Sequence, residues 1–382
     1  MSKFWKKAFL ANLTAILAIV AVLTVFFLTP LGKAHLRTFL LASEVIPNFP
    51  IKPLGYLSRD PFIQEITLKT SFVEVAADLY RPQDNKKHPA VIFTLGTIVN
   101  RKDAQVTKFA QALSRTGFVV LVPDLPDFMS GFVWTDSVNT LISSVEFLDE
   151  QDFVEKNKIG FAGFCVGASA SVIAAEDSQI ADKITFISAI SPYFDLISLS
   201  EAVTTKQAQS GKGGFEPWEP AKLSVESVQK GFINYVADEE EKQLLKDYFL
   251  EGKQIDQEKI QTFSIEAASI YGFLANSDRE KLNEIWQNFP QSGKDLLVEL
   301  SPSTKIDKLK AKLFILNDKK DTFVPKIEGQ KLAQSLPRSQ VYFAEVDSFE
   351  HVNPKTRLPR LAAIRQLWHL GKYLYNVFSE VG

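Results

Sequence analysis

Cysteine occurs once in the 382-residue chain, at Cys165, and histidine only four times, at His35, His88, His351 and His369. One thiol cannot form an intrachain disulfide or a Cys-rich zinc site. A protein of this kind working outside the cytoplasm would do so without disulfides. Neither sign of charge dominates. Lys and Arg number 43 against 45 Asp and Glu, a formal net charge of −2. The strongly basic face of a nucleic-acid-binding protein is therefore not expected. Apolar residues are not scarce. The chain is 46% hydrophobic and 23% charged, which excludes global disorder. At ~150 residues per domain, the length suits two or three domains, or one large domain carrying an insertion.

What is present begins with a long apolar run. Ala8 to Leu28 contains no charged residue. A helix of about 20 such residues crosses the ~30 Å of bilayer hydrocarbon. The run is too long for a signal-peptide core, and no clear small-x-small cleavage site follows, so it reads as an uncleaved transmembrane anchor. Lys3, Lys6 and Lys7 precede it, while Lys33 and Arg37 follow. That lysine excess favours a cytoplasmic N-terminus, with the bulk of the chain outside the cytoplasm. Leu36, Phe39, Leu40 and Ile46 could then form an amphipathic helix, either on the lipid surface or packed on the main domain.

From about residue 62, short apolar strands alternate with amphipathic helices. Ile63 to Lys69 and Phe72 to Tyr80 read as a hairpin. Buried strands follow at Ala90 to Leu95, Gly117 to Val122, Lys158 to Ala162 and Ile184 to Ile190, with helices between them. After Tyr193 the alternation stops for about 100 residues of helix-like and polar sequence. It resumes at Lys312 to Leu316 and Gln340 to Val346, before a closing helix from Pro359 to Val377. This pattern implies an α/β class: a mostly parallel sheet with helices on both faces. A connection of that length is too long for a loop in a compact domain and reads as an inserted helical cap. The expected organisation is an anchor over 1–33, a juxtamembrane segment over 34–61, a core formed by 62–195 and 301–382, and a cap over 196–300.

Cys165 lies in Gly163-Phe164-Cys165-Val166-Gly167, after a strand and before a helix. A nucleophile on such a bend projects into the space above the sheet, and the flanking glycines admit the tight turn. The helix N-terminus aimed at Cys165 favours a thiolate. The Val166 N–H is then available to an oxyanion. A nucleophile needs a base. His35 is beside the anchor, His88 lies at the start of a strand, and His369 is within the closing helix. His351 follows the last strand, where a base reaches the C-terminal edge of a parallel sheet. The orienting carboxylate is Asp321, after the strand ending at Leu316, with Asp318 the runner-up. The second oxyanion donor is the Thr97 N–H, in the loop Leu95-Gly96-Thr97-Ile98.

The elbow Gly163-Phe164-Cys165-Val166-Gly167-Ala168, with Phe314 to Pro325 and His351, resembles the dienelactone hydrolase family of the α/β-hydrolase superfamily. The resemblance covers the chain from about residue 62 to its end. It implies a Cys165–His351–Asp321 triad with no cofactor and no metal. It departs from the family at Leu95-Gly96, where a His-Gly is usual, and at Asp318, where a glycine usually heads the acid loop.

The sequence therefore points to a membrane-anchored hydrolase of esters, lactones or thioesters, acting on a small acyl or lactone substrate through an acyl-enzyme. An acyltransferase on the same triad and a non-catalytic binding protein with this fold remain alternatives.

Overall fold

The computed structural model describes residues 3–46, 49–70, 73–211, 213–347, 349–350, 353–354 and 360–381. The strands follow from runs of β-branched and aromatic residues that need cover on both faces. In order they are β1 (Phe62–Lys69), β2 (Glu74–Arg81), β3 (His88–Thr94), β4 (Val119–Pro123), β5 (Val154–Phe164), β6 (Ile184–Ile190), β7 (Lys312–Asp318) and β8 (Val341–Val346). They form one eight-stranded sheet in the order β1-β2-β4-β3-β5-β6-β7-β8. β2 runs antiparallel to both neighbours, and every other pairing is parallel. The expected hairpin is the β1–β2 pair. β5 starts at Val154, earlier than the expected Lys158, because Val154 pairs with His88 before an irregularity in register.

Period-two alternation divides the core. In β3, Ala90 and Ile92 face one apolar cluster, while Val91 and Phe93 face the other. The first cluster is covered by α4 (Thr135–Glu150), α5 (Val166–Ala175) and α12 (Lys326–Gln334). The second is covered by α2 (Pro30–Val45), α3 (Ala104–Arg115) and α13 (Arg360–Glu380). The Tyr373 hydroxyl of α13 bonds Ser188 of β6 at 2.7 Å and the Phe314 carbonyl of β7 at 3.2 Å. That fixes the closing helix across two strands.

Between β6 and β7 the described residues form six helices of seven or more residues, α6 (Leu196–Thr205), α7 (Lys222–Tyr235), α8 (Glu239–Phe249), α9 (Ile265–Leu274), α10 (Leu282–Asn288) and α11 (Gln291–Glu299), with the short helix Gln257–Gln261 and single turns between them. No strand was expected in this stretch. The structure places a two-stranded ribbon there, Gln207–Gln209 against Phe215–Pro217. Strands of three residues, rich in Gln and Glu, give no alternation to read. Phe232 and Phe273 stack at 4.6 Å between centroids, and Trp286 and Phe289 meet at 4.9 Å. Aromatic contacts of this kind hold α7, α9 and α10 together.

At the N-terminus, α1 (Lys3–Leu28) is separated from α2 by Thr29. The Thr29 side chain caps α2 by accepting the Gly32 N–H at 3.1 Å, and Pro30 opens the helix without needing its own N–H. Among the described residues no single helix is long and apolar enough to cross a membrane. Asn12–Leu28 and Pro30–Val45, bent by 93°, reach that length and apolarity only together. The expected span 8–28 therefore lies on one arm of a bent pair. α2 itself is packed on the body of the protein, in line with the second of the two expectations for this segment. Ala34, Leu40 and Leu41 are buried against α3 and α13. Arg37 donates to the Thr116 carbonyl at 3.1 Å and lies over the Phe118 ring. Each buried leucine contributes roughly 2 kcal/mol to holding α2 in place. Phe39 remains exposed.

Candidate active site

β5 ends at Phe164 and α5 starts at Val166, so the whole reversal falls on Cys165. Its backbone sits at φ +54°, ψ −131°. A side chain at positive φ costs about 1–3 kcal/mol and persists only where its surroundings dictate it. Here they do. The Cys165 N–H donates to the Ile190 carbonyl at 2.8 Å, and the Cys165 carbonyl accepts the Ala168 N–H at 3.0 Å. The flanking glycines are required by space. A Cβ on Gly163 would lie 2.5 Å from the Ala168 Cα, and one on Gly167 would lie 2.3 Å from the Leu95 carbonyl oxygen. Both contacts are with backbone, which cannot swing aside.

α5 is built from small residues and buried along nearly its whole length. Its hydroxyls are all satisfied. Ser171 donates to the Gly167 carbonyl at 2.7 Å, Thr94 bonds Ser171 at 2.9 Å, and Ser169 donates to the Tyr193 carbonyl at 2.8 Å. Tyr193, which sequence reasoning did not single out, is fully buried, and its hydroxyl donates to the Leu300 carbonyl at 2.8 Å. Burial, with Cys165 nearby, pushes its phenol well above the usual tyrosine range, so it stays neutral. At the far end of α5, Glu176 is buried and its Oε1 has no hydrogen-bond partner among the described residues. Burial pushes its carboxyl up to about 9.

The loop after β3 approaches the elbow closely. An added Cβ on Gly96 would be 3.6 Å from the Cys165 Cβ. Ile98 adopts φ +59°, and its N–H donates to the Phe128 carbonyl at 2.7 Å. Arg101 anchors the other end of the loop. Its guanidinium pairs with Asp124 at the end of β4, with Glu65 of β1 at 2.7 Å, and with Asp78 of β2 at 3.4 Å. Lys102 adds a 2.6 Å contact to Asp78. This cluster was also missed from sequence. Its members lie 23 to 36 positions from Arg101 or Lys102, and only the fold joins them.

A cavity of about 830 Å³, counting its open mouth, lies over the elbow. Thr97, Cys165 and Val166 all line it, so three of the five expected site residues face one cavity. Asp321 is buried in the loop after β7. Its Oδ1 accepts the N–H groups of Phe323 at 2.7 Å and Val324 at 3.1 Å. Phe323 and Val324 both line the cavity, which puts Asp321 directly behind its wall. Trp218 donates its indole N–H to the Asp321 carbonyl at 2.8 Å. The runner-up Asp318 is equally buried and accepts the Lys320 N–H at 3.0 Å.

His351, the expected base, lies outside the described residues. The other three histidines are placed elsewhere. His88 bridges Asp84 at 2.7 Å and the Gly117 carbonyl at 3.2 Å, His35 stacks on Tyr375, and His369 is half-buried on α13. None of them lines the cavity. Among the described residues no group of three or more His, Cys, Asp or Glu is arranged to hold a metal ion.

The fold has counterparts among solved structures. A puromycin-hydrolyzing peptidase from Mycobacterium tuberculosis superposes with a TM-score of 0.52 at 13% identity, over 88% of this chain and 41% of that one. A puromycin hydrolase superposes with a TM-score of 0.50 at 14% identity, over 87% and 40%. The fold is α/β-hydrolase-like. This chain spans about two fifths of the length of those structures. A dienelactone hydrolase from Anabaena variabilis aligns over 35% of this chain at 17% identity with a TM-score of 0.31, too slight a likeness to carry the narrower resemblance. No family model and no curated protein matches the chain.

Proposed function

We propose that this protein is a hydrolase of esters, lactones or thioesters in which Cys165 is the nucleophile. One observation carries the reading. The only cysteine of the chain occupies a strained strand-to-helix turn that opens into an apolar cavity. Strain of this size at a non-glycine residue marks functional positions.

The Cys165 sulfur attacks the substrate carbonyl carbon, and His351 takes the thiol proton. The carbonyl oxygen gains the displaced electron pair and is held by the N–H groups of Val166 and Thr97. Collapse of the intermediate breaks the bond to the leaving alcohol or thiol, which receives the proton from His351. Water, deprotonated by the same imidazole, then attacks the thioester and restores the Cys165 thiol. Asp321 orients the imidazole and stabilises its protonated form. The test is ester hydrolysis by the full chain against Cys165→Ala. Loss of about 1,000-fold or more in kcat/KM is expected, and undiminished hydrolysis would refute the mechanism.

We further propose that α1 anchors the chain in a membrane, with the N-terminus cytoplasmic and the remainder outside. Ile16, Leu17, Ile19, Val22, Val25 and Leu28 are each 57% to 69% exposed. These positions surround the helix, and a helix apolar all round needs a nonaqueous environment. Retention of the chain in the membrane fraction after alkaline carbonate washing is the expected result. Release into the supernatant would contradict it.

A further inference from the structure

We infer that the cavity accepts an uncharged, apolar acyl chain and rejects acyl groups bearing a charge. The inference rests on the reading of Cys165 as nucleophile and deepens it.

The argument starts with what the wall offers. None of the described residues lining the cavity is charged. The apolar lining comes mainly from α6, α7 and α11, with Leu199, Val203, Val228, Phe232, Leu296 and Leu297 as representatives. The wall does contain hydroxyls, and each already has a protein partner. Ser200 donates to the Leu196 carbonyl at 2.7 Å, and Ser224 to the Phe323 carbonyl at 2.9 Å. Thr97 and Ser227 bond one another at 3.3 Å, and Tyr235 bonds Ser292 at 2.6 Å. A polar substrate group entering this space would lose water and meet few polar partners, since the Ser200 and Ser224 hydroxyls already donate to carbonyls. Among the described lining residues a carboxylate would have no cation to meet. An alkyl chain loses nothing and gains burial with every methylene.

Cys165, Val166 and Thr97 line the same cavity as residues from the helices of the 196–300 stretch. A substrate whose carbonyl sits at Cys165 therefore has the apolar walls within reach, and its acyl chain is inferred to lie against them. Those walls are stiff. Phe232 and Phe289 are buried, and they are backed by Phe273 and Trp286 in a packed aromatic group. Chain preference should therefore be set by the shape of the cavity.

The experiment compares N-acetylcysteamine thioesters of acetate, octanoate and the ω-carboxylate of the same length, using the full chain in detergent micelles. Octanoyl thioester is expected to exceed both others by about 100-fold or more in kcat/KM. Val228→Trp, which fills the cavity, is expected to lower the octanoyl-to-acetyl ratio by about tenfold. Equal rates for acetyl and octanoyl, or for octanoyl and the ω-carboxylate, would overturn the inference. A second measurement separates this from failure of the nucleophile reading. Binding of octanoyl amide to the Cys165→Ala chain, with the ω-carboxylate amide as competitor, reads the cavity without chemistry. A preference of about tenfold or more for the neutral amide upholds the apolar cavity even if turnover survives in Cys165→Ala. Equal binding, or none, rejects it.

Discussion

The two sides of the cavity are built on different principles. The Cys165 side is fixed by backbone. Glycines without room for a Cβ, a strained φ, and hydrogen bonds from Cys165 to both β6 and α5 leave one conformation available. The opposite side, formed by the 196–300 stretch, is fixed by apolar and aromatic side chains packed between helices. Bond-making needs atoms held within fractions of an ångström, which backbone contacts provide. Selection of an acyl chain needs only shape and dryness, and side-chain packing provides those at lower precision. The first side should therefore fail abruptly when altered, and the second by degrees.

The largest effect is expected at Gly167. Gly167→Ala drives a Cβ against the Leu95 carbonyl, so either α5 or the Thr97 loop must shift. Hydrolysis should fall about 100-fold or more, measured beside circular dichroism to confirm that the chain remains folded. Next is Arg101→Ala, which leaves the buried Asp78 and the half-buried Asp124 short of a counter-charge. A loss on the order of 3 kcal/mol is expected in denaturant unfolding.

Glu176→Gln acts in the opposite direction. The folded chain keeps this carboxyl protonated up to about 9, while the unfolded chain ionises it in the usual carboxylate range. Folding therefore holds an extra proton between those pH values. The contribution is fully present below the unfolded value and is lost as pH rises towards about 9. The glutamine variant should gain on the order of 2 kcal/mol at pH 8 relative to the parent and show a flatter stability profile across that window. An unchanged profile would mean the carboxyl titrates normally. The smallest effect belongs to the helical side. Phe273→Leu, behind the cavity wall, should cost about 1–2 kcal/mol. Alkylation of Cys165 by iodoacetamide should stay within about twofold of the parent rate. A larger change in alkylation would mean the two sides are not separable.

How legible each part was follows the same division. The elbow could be read because its constraint is local: two glycines at fixed offsets from a cysteine, between a strand and a helix. β3, β5 and β6 could be read because residues buried on both faces leave continuous apolar runs. The acid loop could be placed but not resolved. Asp318 and Asp321 stand three positions apart, and both are buried and both accept backbone N–H groups. The Arg101 cluster could not be read, since an Arg-Lys pair on a loop looks solvated until β1, β2 and β4 bring carboxylates to it. α2 was ambiguous for a related reason. An amphipathic helix shows that it has an apolar face and not what covers it, and here α3 and α13 cover it.

The central claim is that Cys165 forms an acyl intermediate, and intact-protein mass spectrometry during turnover tests it most directly. The full chain, quenched in acid within seconds of mixing with octanoyl thioester, should carry one added octanoyl group on the peptide containing Cys165. The Cys165→Ala chain should carry none. Turnover with no adduct on Cys165, or an adduct on another residue that persists in Cys165→Ala, would contradict the account.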